Sequence, residues 1–169
     1  MATFRVTHPI AHIRQPSQND CWAAATAMAR GRDRGRHLMV SDVKQIASDN
    51  GVRVNVDGTL PVQDLGNTRR LATALNMQCF DVRMGAVTTV TVSVMKRYLE
   101  RGRLALFGFF DFPRLSLNHV ITVYRMWGDG TPTGTTISIV DPFNGRADNF
   151  SWKEFNEDIM ADPHFVVVK

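Results

Sequence analysis

Cysteine is scarce in this chain. Of 169 residues, only Cys21 and Cys79 are cysteines. Two thiols in unlike surroundings are too few for a disulfide framework. There is no CxxC and no HExxH, and the histidines lack ligand-like spacing. No metal centre and no cofactor is therefore expected. No apolar run approaches the roughly 18 residues that a membrane span needs. The first residues, Met1 to His8, lack a basic segment followed by an apolar one, so a secretory signal peptide is not expected there. Excision from a longer polypeptide is compatible with that expectation. Internal repeats and low-complexity tracts are missing as well.

The composition that remains, 44% hydrophobic and 21% charged, is that of a globular domain with one sizeable core. A formal charge of +4 is concentrated in part at Arg30-Gly-Arg-Asp-Arg-Gly-Arg36-His37. Such a stretch reads as a solvated surface loop, although a basic loop can also steer a domain to an acidic partner. It contains no aromatic residues for bases to stack on, so nucleic acid is not an expected partner.

The periodicity changes along the chain. Residues 1–14 read as extended. An alanine-rich helix runs from Asp20 or Cys21 to Arg30, with Asp20 as a candidate cap and Gly31 as its stop. A short helix opens at Ser41 and ends at Asn50-Gly51. Turn signals fill 52–61. A second amphipathic helix follows from Val62 to Leu75, then a strand from Met77 to Val82 and a helix from Thr91 to Glu100. From there the sequence reads as strands: 104–110, 118–127, 135–140, 146–150 and 165–168. A loop is expected over 111–117 and turns at 128–134 and 141–145. Ser151-Trp-Lys-Glu154 has the spacing of a capping box and starts a last helix. Helices first and an antiparallel meander second give an α+β class in one domain, 1–169. The helical part spans about 15–100 and the sheet part about 103–169.

One stretch stands out chemically. In Gln15-Pro-Ser-Gln-Asn-Asp-Cys21-Trp22-Ala-Ala-Ala, a cysteine stands where a polar loop becomes an apolar helix. Free N–H groups of a first helical turn, with the positive end of the helix dipole, favour thiolate over thiol. Acyl transfer then needs a base, an orienter for the base and donors for the oxyanion. His119, on the apolar run Leu117-Asn-His119-Val-Ile-Thr-Val, is a candidate base. Asp141, closing Ile137-Ser-Ile-Val-Asp141-Pro-Phe-Asn-Gly145, is a candidate orienter, because a hairpin sets its strand against that of His119. The backbone N–H of Cys21 and the side-chain amide of Gln15 or Gln18 are candidate oxyanion donors. Trp22 is expected to pack on the sheet, and Cys79 to be a small hydrophobe on its strand.

Taken together, Gln15-x5-Cys21-Trp22-Ala23, then Asn118-His119-Val-Ile-Thr-Val, then Val140-Asp141-Pro-x-x-Gly145, resemble the papain-like cysteine peptidases. The nearest branches are bacterial: the bacteriocin-processing, C39-like peptidases and the AvrRpt2-type effector proteases. The resemblance runs from about Gln15 to Val168. It implies a papain-like fold with Cys21 as nucleophile, His119 as base, Asp141 as orienter and Gln15, by its spacing to the cysteine, as the oxyanion glutamine. The Cys-Gly-Ser-Cys-Trp cluster of papain is absent, Asp20 stands directly before Cys21, and an aspartate replaces papain's asparagine.

The expected function is therefore hydrolysis of peptide bonds in a protein substrate by a toxin or effector module. Such a module is secreted or delivered into a target cell's cytoplasm. An immunity or inhibitor protein is a second partner of the kind the resemblance admits. Two alternatives remain open in the sequence. One is deamidation or amide hydrolysis on glutamine, asparagine or peptidoglycan by the same three residues. The other is a binding module that keeps the fold without the chemistry.

Overall fold

The computed structural model describes residues 3–33, 35–61, 63–82, 90–112 and 115–169. A seven-stranded antiparallel sheet organises them. Its strands are β1 (Phe4–Thr7), β4 (Gln78–Asp81), β5 (Leu104–Phe112), β6 (Leu115–Gly128), β7 (Thr135–Asp141), β8 (Arg146–Ser151) and β9 (Met160–Val168). They lie in the order β4-β9-β5-β6-β7-β8, with β1 on β6, and all pairings are antiparallel. A separate two-stranded ribbon is formed by β2 (Arg32–Asp33) and β3 (Arg36–His37). The helices are α1 (Cys21–Arg30), α2 (Val40–Asp49), α3 (Leu65–Ala74), α4 (Val92–Leu99) and the single turn α5 (Trp152–Glu154). One π-helical turn, Phe155–Ile159, continues α5. The α+β class is as the sequence implies, with two strands from the first hundred residues, β1 and β4, joining the C-terminal meander.

Both faces of the sheet are covered. Ala105, Phe107, Val120, Phe165 and Val167 face the helices α1, α2 and α3, meeting Val43, Leu71 and Leu75 in one core. Their sequence neighbours Leu104, Leu106, Ile121, Val166 and Val168 face the other way, onto Met95, Leu99, Trp152 and Phe155. The strict alternation follows from the two-residue period of a strand.

In α1, Trp22 to Arg30 are all buried and only Cys21 at its start is half-exposed. Alanines at 23, 24, 25, 27 and 29 let the helix sit close to β5 and β6. A larger residue there would overpack the core at a cost of about 1–3 kcal/mol. Thr122 Oγ1 donates to Ala25 O at 3.0 Å, fixing the register of helix on strand. Gly31, at φ 72°, ends the helix as expected, because that conformation suits a residue without Cβ.

Several expectations change. Asp20 does not cap α1 with its side chain. Its carboxylate instead accepts from Lys44 Nζ at 2.8 Å. The second helix begins at Val40 rather than Ser41, because Asp42 accepts from the Met39 N–H at 2.8 Å and anchors the turn one residue earlier. The third begins at Leu65, where Asp64 accepts from the Asn67 N–H at 2.9 Å. Val62, where its start was expected, lies outside the described residues.

The loop expected over 111–117 is largely strand. Asp111 pairs with Ser116 and Phe112 with Leu115, so the pairing of β5 and β6 runs on to those residues. Pro113 and Arg114 lie outside the described residues. The last helix is capped as its sequence implies, with Ser151 Oγ accepting from the Glu154 N–H at 3.1 Å.

The basic stretch is not a free loop. Arg30 is buried and donates to Leu75 O at 2.7 Å, and Arg36 binds both carboxylate oxygens of Asp42. Arg30 is thereby taken up inside the fold, whereas Arg36 stays 64% exposed and is paired at the surface; Arg34 is outside the described residues.

Candidate active site

Three elements converge at the start of α1. Strand β6 pairs with β5 from Leu115 to Val123, but with β7 only from Thr122 onward. His119 thus lies on the part of β6 where β7 has not yet joined. Strand β7 ends at Asp141, and the chain turns at 141–145, closed by the Gly145 N–H on Asp141 O at 2.8 Å. The turn carries the Asp141 carboxylate into the space beside His119.

The contact is close. His119 Nε2 lies 2.7 Å from Asp141 Oδ1. The same oxygen accepts from the Phe143 N–H at 2.9 Å, so the turn itself holds the carboxylate in place. Cys21 lies close enough for its side chain to favour the charged form of the imidazole. Phe110 meets the ring edge to face, with centroids 6.5 Å apart. His119 and Asp141 are buried; Cys21 is half-exposed.

Burial alone would push the His119 pKa down. The Asp141 carboxylate, accepting from the ring, and the Cys21 side chain, with the negative charge of both, outweigh it and raise the value to about 9. An imidazolium is thereby favoured near neutral pH, beside a sulfur at a helix N-terminus. That pair of groups can attack a carbonyl carbon and then protonate a leaving amine. Cys79 contrasts with Cys21: burial raises its thiol to about 11. It packs at the edge of the first core as a hydrophobe, as expected.

Gln15 is buried and joins the same constellation through its backbone, whose N–H donates to Pro142 O at 2.8 Å. Gly145 makes the approach possible. Its φ is +68°, and a Cβ there would meet Arg14 Cβ at 3.1 Å and Arg14 N at 3.2 Å. The side-chain amide of Gln15 donates to Ser17 O at 2.9 Å and Gln18 O at 2.8 Å. Its Oε1 is buried with no hydrogen-bond partner among the described residues. In this state the amide holds the loop that leads to Cys21. Gln18 enters through its backbone carbonyl alone in that contact.

Trp22 is buried under the sheet as expected, and its Nε1 donates to Gly58 O at 3.1 Å. Asn19 Nδ2 donates to Asp57 O at 2.7 Å. The residues on either side of the Asp20-Cys21 step thus hold one turn, 55–59, which presents Val56 fully to solvent. On the Asp141 side, Phe143 is exposed too. Beside the loop a surface cavity of about 370 Å³ is lined by Pro16, Asp20, Val40, Ser41, Lys44 and Gln45. Val56, Phe143 and Lys44 carried no signal in the sequence beyond the turn chemistry around the first two. Among the described residues no cluster of histidine, cysteine and carboxylate side chains could hold a metal ion.

Comparison with known proteins shows the family and the fold. Residues 4–160 match the family model described as papain-like cysteine protease AvrRpt2. A crystal structure of UfSP from C. elegans covers 99% of this chain with a TM-score of 0.61 at 11% identity, a likeness of fold and that fold papain-like. The chain spans about a third, 34%, of the length of that UfSP chain. No curated protein matches the chain by sequence.

Proposed function

Since this chain belongs to the family of the papain-like cysteine protease AvrRpt2, we propose that it hydrolyses peptide bonds in proteins through a Cys21–His119–Asp141 triad. Family and fold make it a cysteine peptidase. The observation that supports the triad is the shared imidazole, whose Nε2 lies 2.7 Å from Asp141 Oδ1 and whose charged form both Asp141 and Cys21 favour.

In this reading the thiolate of Cys21 attacks the scissile carbonyl carbon and the C–N bond breaks. The His119 imidazolium gives its proton to the departing amine. Water then attacks the thioester, His119 takes the water's proton, and the sulfur leaves. Asp141 orients the ring throughout and stabilises its positive charge. The Cys21 backbone N–H, at the first turn of α1, is one oxyanion donor. Gln15 supplies the second when its amide turns from Ser17 O and Gln18 O toward the developing charge. The exposed apolar side chains of Val56 and Phe143, on the turns next to Trp22 and Asp141, contact an extended substrate in this reading.

The effector role rests on family likeness: the protein acts within a cell other than the one that makes it. N-terminal proteomics of cells expressing the wild type or Cys21→Ala tests bond and target together. New N-termini dependent on Cys21 are expected. Equal sets from both proteins would sink the proposal, and a mass gain of about one dalton on intact substrate, without fragments, would replace it with deamidation.

A further inference from the structure

Asp20 presents a problem for the chemistry proposed above. It is the residue immediately before Cys21, and its side chain is only 4% exposed. A carboxylate in that place would ordinarily turn onto the free N–H groups of the first helical turn and cap them. It would then neutralise the positive end of α1, and its charge would oppose a thiolate one residue away. The structure shows the carboxylate elsewhere. Asp20 makes no side-chain cap, and its Oδ1 accepts from Lys44 Nζ at 2.8 Å.

Lys44 comes from α2, which packs directly on α1. Its ammonium therefore balances the Asp20 charge and draws it away from the helix start. The other charged or titratable groups on elements against α1 sit differently. His119 on β6 meets Cys21 itself, with Asp141 behind it. Asp57, on the turn held by Asn19, is bound by Thr59 of its own turn. Arg30 and Arg103 serve the far end of the helix, Arg103 donating to Ala29 O at 3.2 Å. His164 on β9 lies against Phe165. Lys44 is the group placed to decide where the Asp20 charge points.

We infer that Lys44 is a positioning residue for catalysis: by holding the Asp20 carboxylate aside, it leaves the positive first turn of α1 to the Cys21 thiolate. The inference rests on Cys21 being the nucleophile. The sign of each substitution follows. Lys44→Met frees a buried carboxylate beside the sulfur and makes the thiolate harder to form. Lys44→Arg keeps the charge and the hydrogen bond. Asp20→Asn removes the opposing charge while Lys44 stays, so the thiolate forms more easily. Asp20→Asn with Lys44→Met removes both.

The test is the rate of iodoacetamide alkylation at Cys21 against pH, read by peptide mass spectrometry on the folded full chain. Cys79, whose thiol burial holds at about 11, is the internal reference. Lys44→Met should move the Cys21 midpoint up by about half a pH unit or more, with Lys44→Arg at the wild-type position. Asp20→Asn should move it down, and the double variant should lie well below Lys44→Met. An acid limb of kcat/KM moving in parallel is expected. A merely structural contact would lower Tm without moving the midpoint, and that result overturns the inference. Should Lys44→Met not fold, Asp20→Asn decides alone: a midpoint unmoved or raised overturns it. Alkylation of wild-type Cys21 no faster than that of Cys79 at pH 7 removes the nucleophile reading itself, whatever the variants do.

Discussion

His119 Nε2 and Asp141 Oδ1 lie 2.7 Å apart, and the same carboxylate oxygen accepts the Phe143 N–H. The aspartate is therefore fixed by its own turn before it fixes the histidine. Strand β7 delivers it there because its pairing with β6 stops at Val140 opposite Thr122, three residues beyond His119. The hairpin does not merely allow the two groups to meet; it leaves them facing across the notch where pairing ends.

The first prediction comes from that contact. Asp141→Asn keeps the shape and removes the charge that raises the His119 pKa to about 9. The base limb of the kcat/KM profile should fall by about one pH unit, and turnover by about 10²-fold or more. Asp141→Ala should lose turnover without abolishing it. Unchanged pH profiles in both variants would mean that the aspartate serves the turn alone.

Cys21→Ala should abolish peptidase activity and leave Tm within about 2 °C of wild type, because a half-exposed thiol at a helix start contributes little packing. Cys79→Ala should keep activity within a few-fold. Turnover of a peptide substrate, with circular dichroism for folding, separates the two. Residual activity in Cys21→Ala comparable to wild type would transfer the chemistry to another group.

Gln15 holds loop carbonyls in the structure and is proposed to hold the oxyanion in the reaction. The two roles read differently in kinetics. As an oxyanion donor its loss in Gln15→Ala lowers kcat by about 10²–10³-fold, with KM nearly unchanged. As a loop brace alone its loss lowers Tm and leaves kcat within a few-fold. The expected outcome is the first, measured by steady-state kinetics beside thermal unfolding.

Much of this was legible in the chain because the signals were local and strong. The α1 boundaries followed from a polar loop meeting an alanine run and from Gly31. Trp22, on a face shared with Ala25 and Ala29, reads as packing against the sheet. The Asp141-Pro-Phe-Asn-Gly145 turn and the capping by Ser151 are written in residues a few positions apart. What the sequence hid was long-range. Asp20 reads as a cap until Lys44, 24 positions away, claims its carboxylate. The extension of β5 through Asp111 and Phe112, and of β6 back to Leu115, overrides an expected loop, because a strand pair already formed along 104–110 propagates its ladder. Arg30 looks solvated until Leu75, far along the chain, accepts from its guanidinium. Gln15 matches its motif by spacing, yet no spacing shows which way an amide points.

Gly145→Ala joins fold to site. The substitution forces a side chain into a positive φ and against Arg14. A loss of about 1–3 kcal/mol in stability is expected, from the backbone conformation and the tight contact. Because the Gln15 N–H bond to Pro142 O spans the same contact, kcat should fall as well. Urea unfolding and turnover measured on one preparation check both. Full activity in a destabilised variant would show that the 14–15 segment braces the domain without positioning the site.

The raised pKa of His119 makes stability depend on pH with a definite sign. Folding lifts the group from its ordinary 6.5 to about 9, so the native state holds the proton more tightly than the unfolded chain. The resulting stabilisation is fully present below about pH 6.5 and is lost as pH rises through about 9. Equilibrium unfolding in urea should show the wild type losing stability across that window. His119→Gln, which cannot take up the proton, should be flatter there. Its stability should sit below that of wild type at pH 6 and approach it at pH 10. Parallel curves for the two proteins would mean that the imidazole enters the fold with the same proton affinity it has in the open chain, and the thiolate–imidazolium pairing proposed for the site would lose its thermodynamic support.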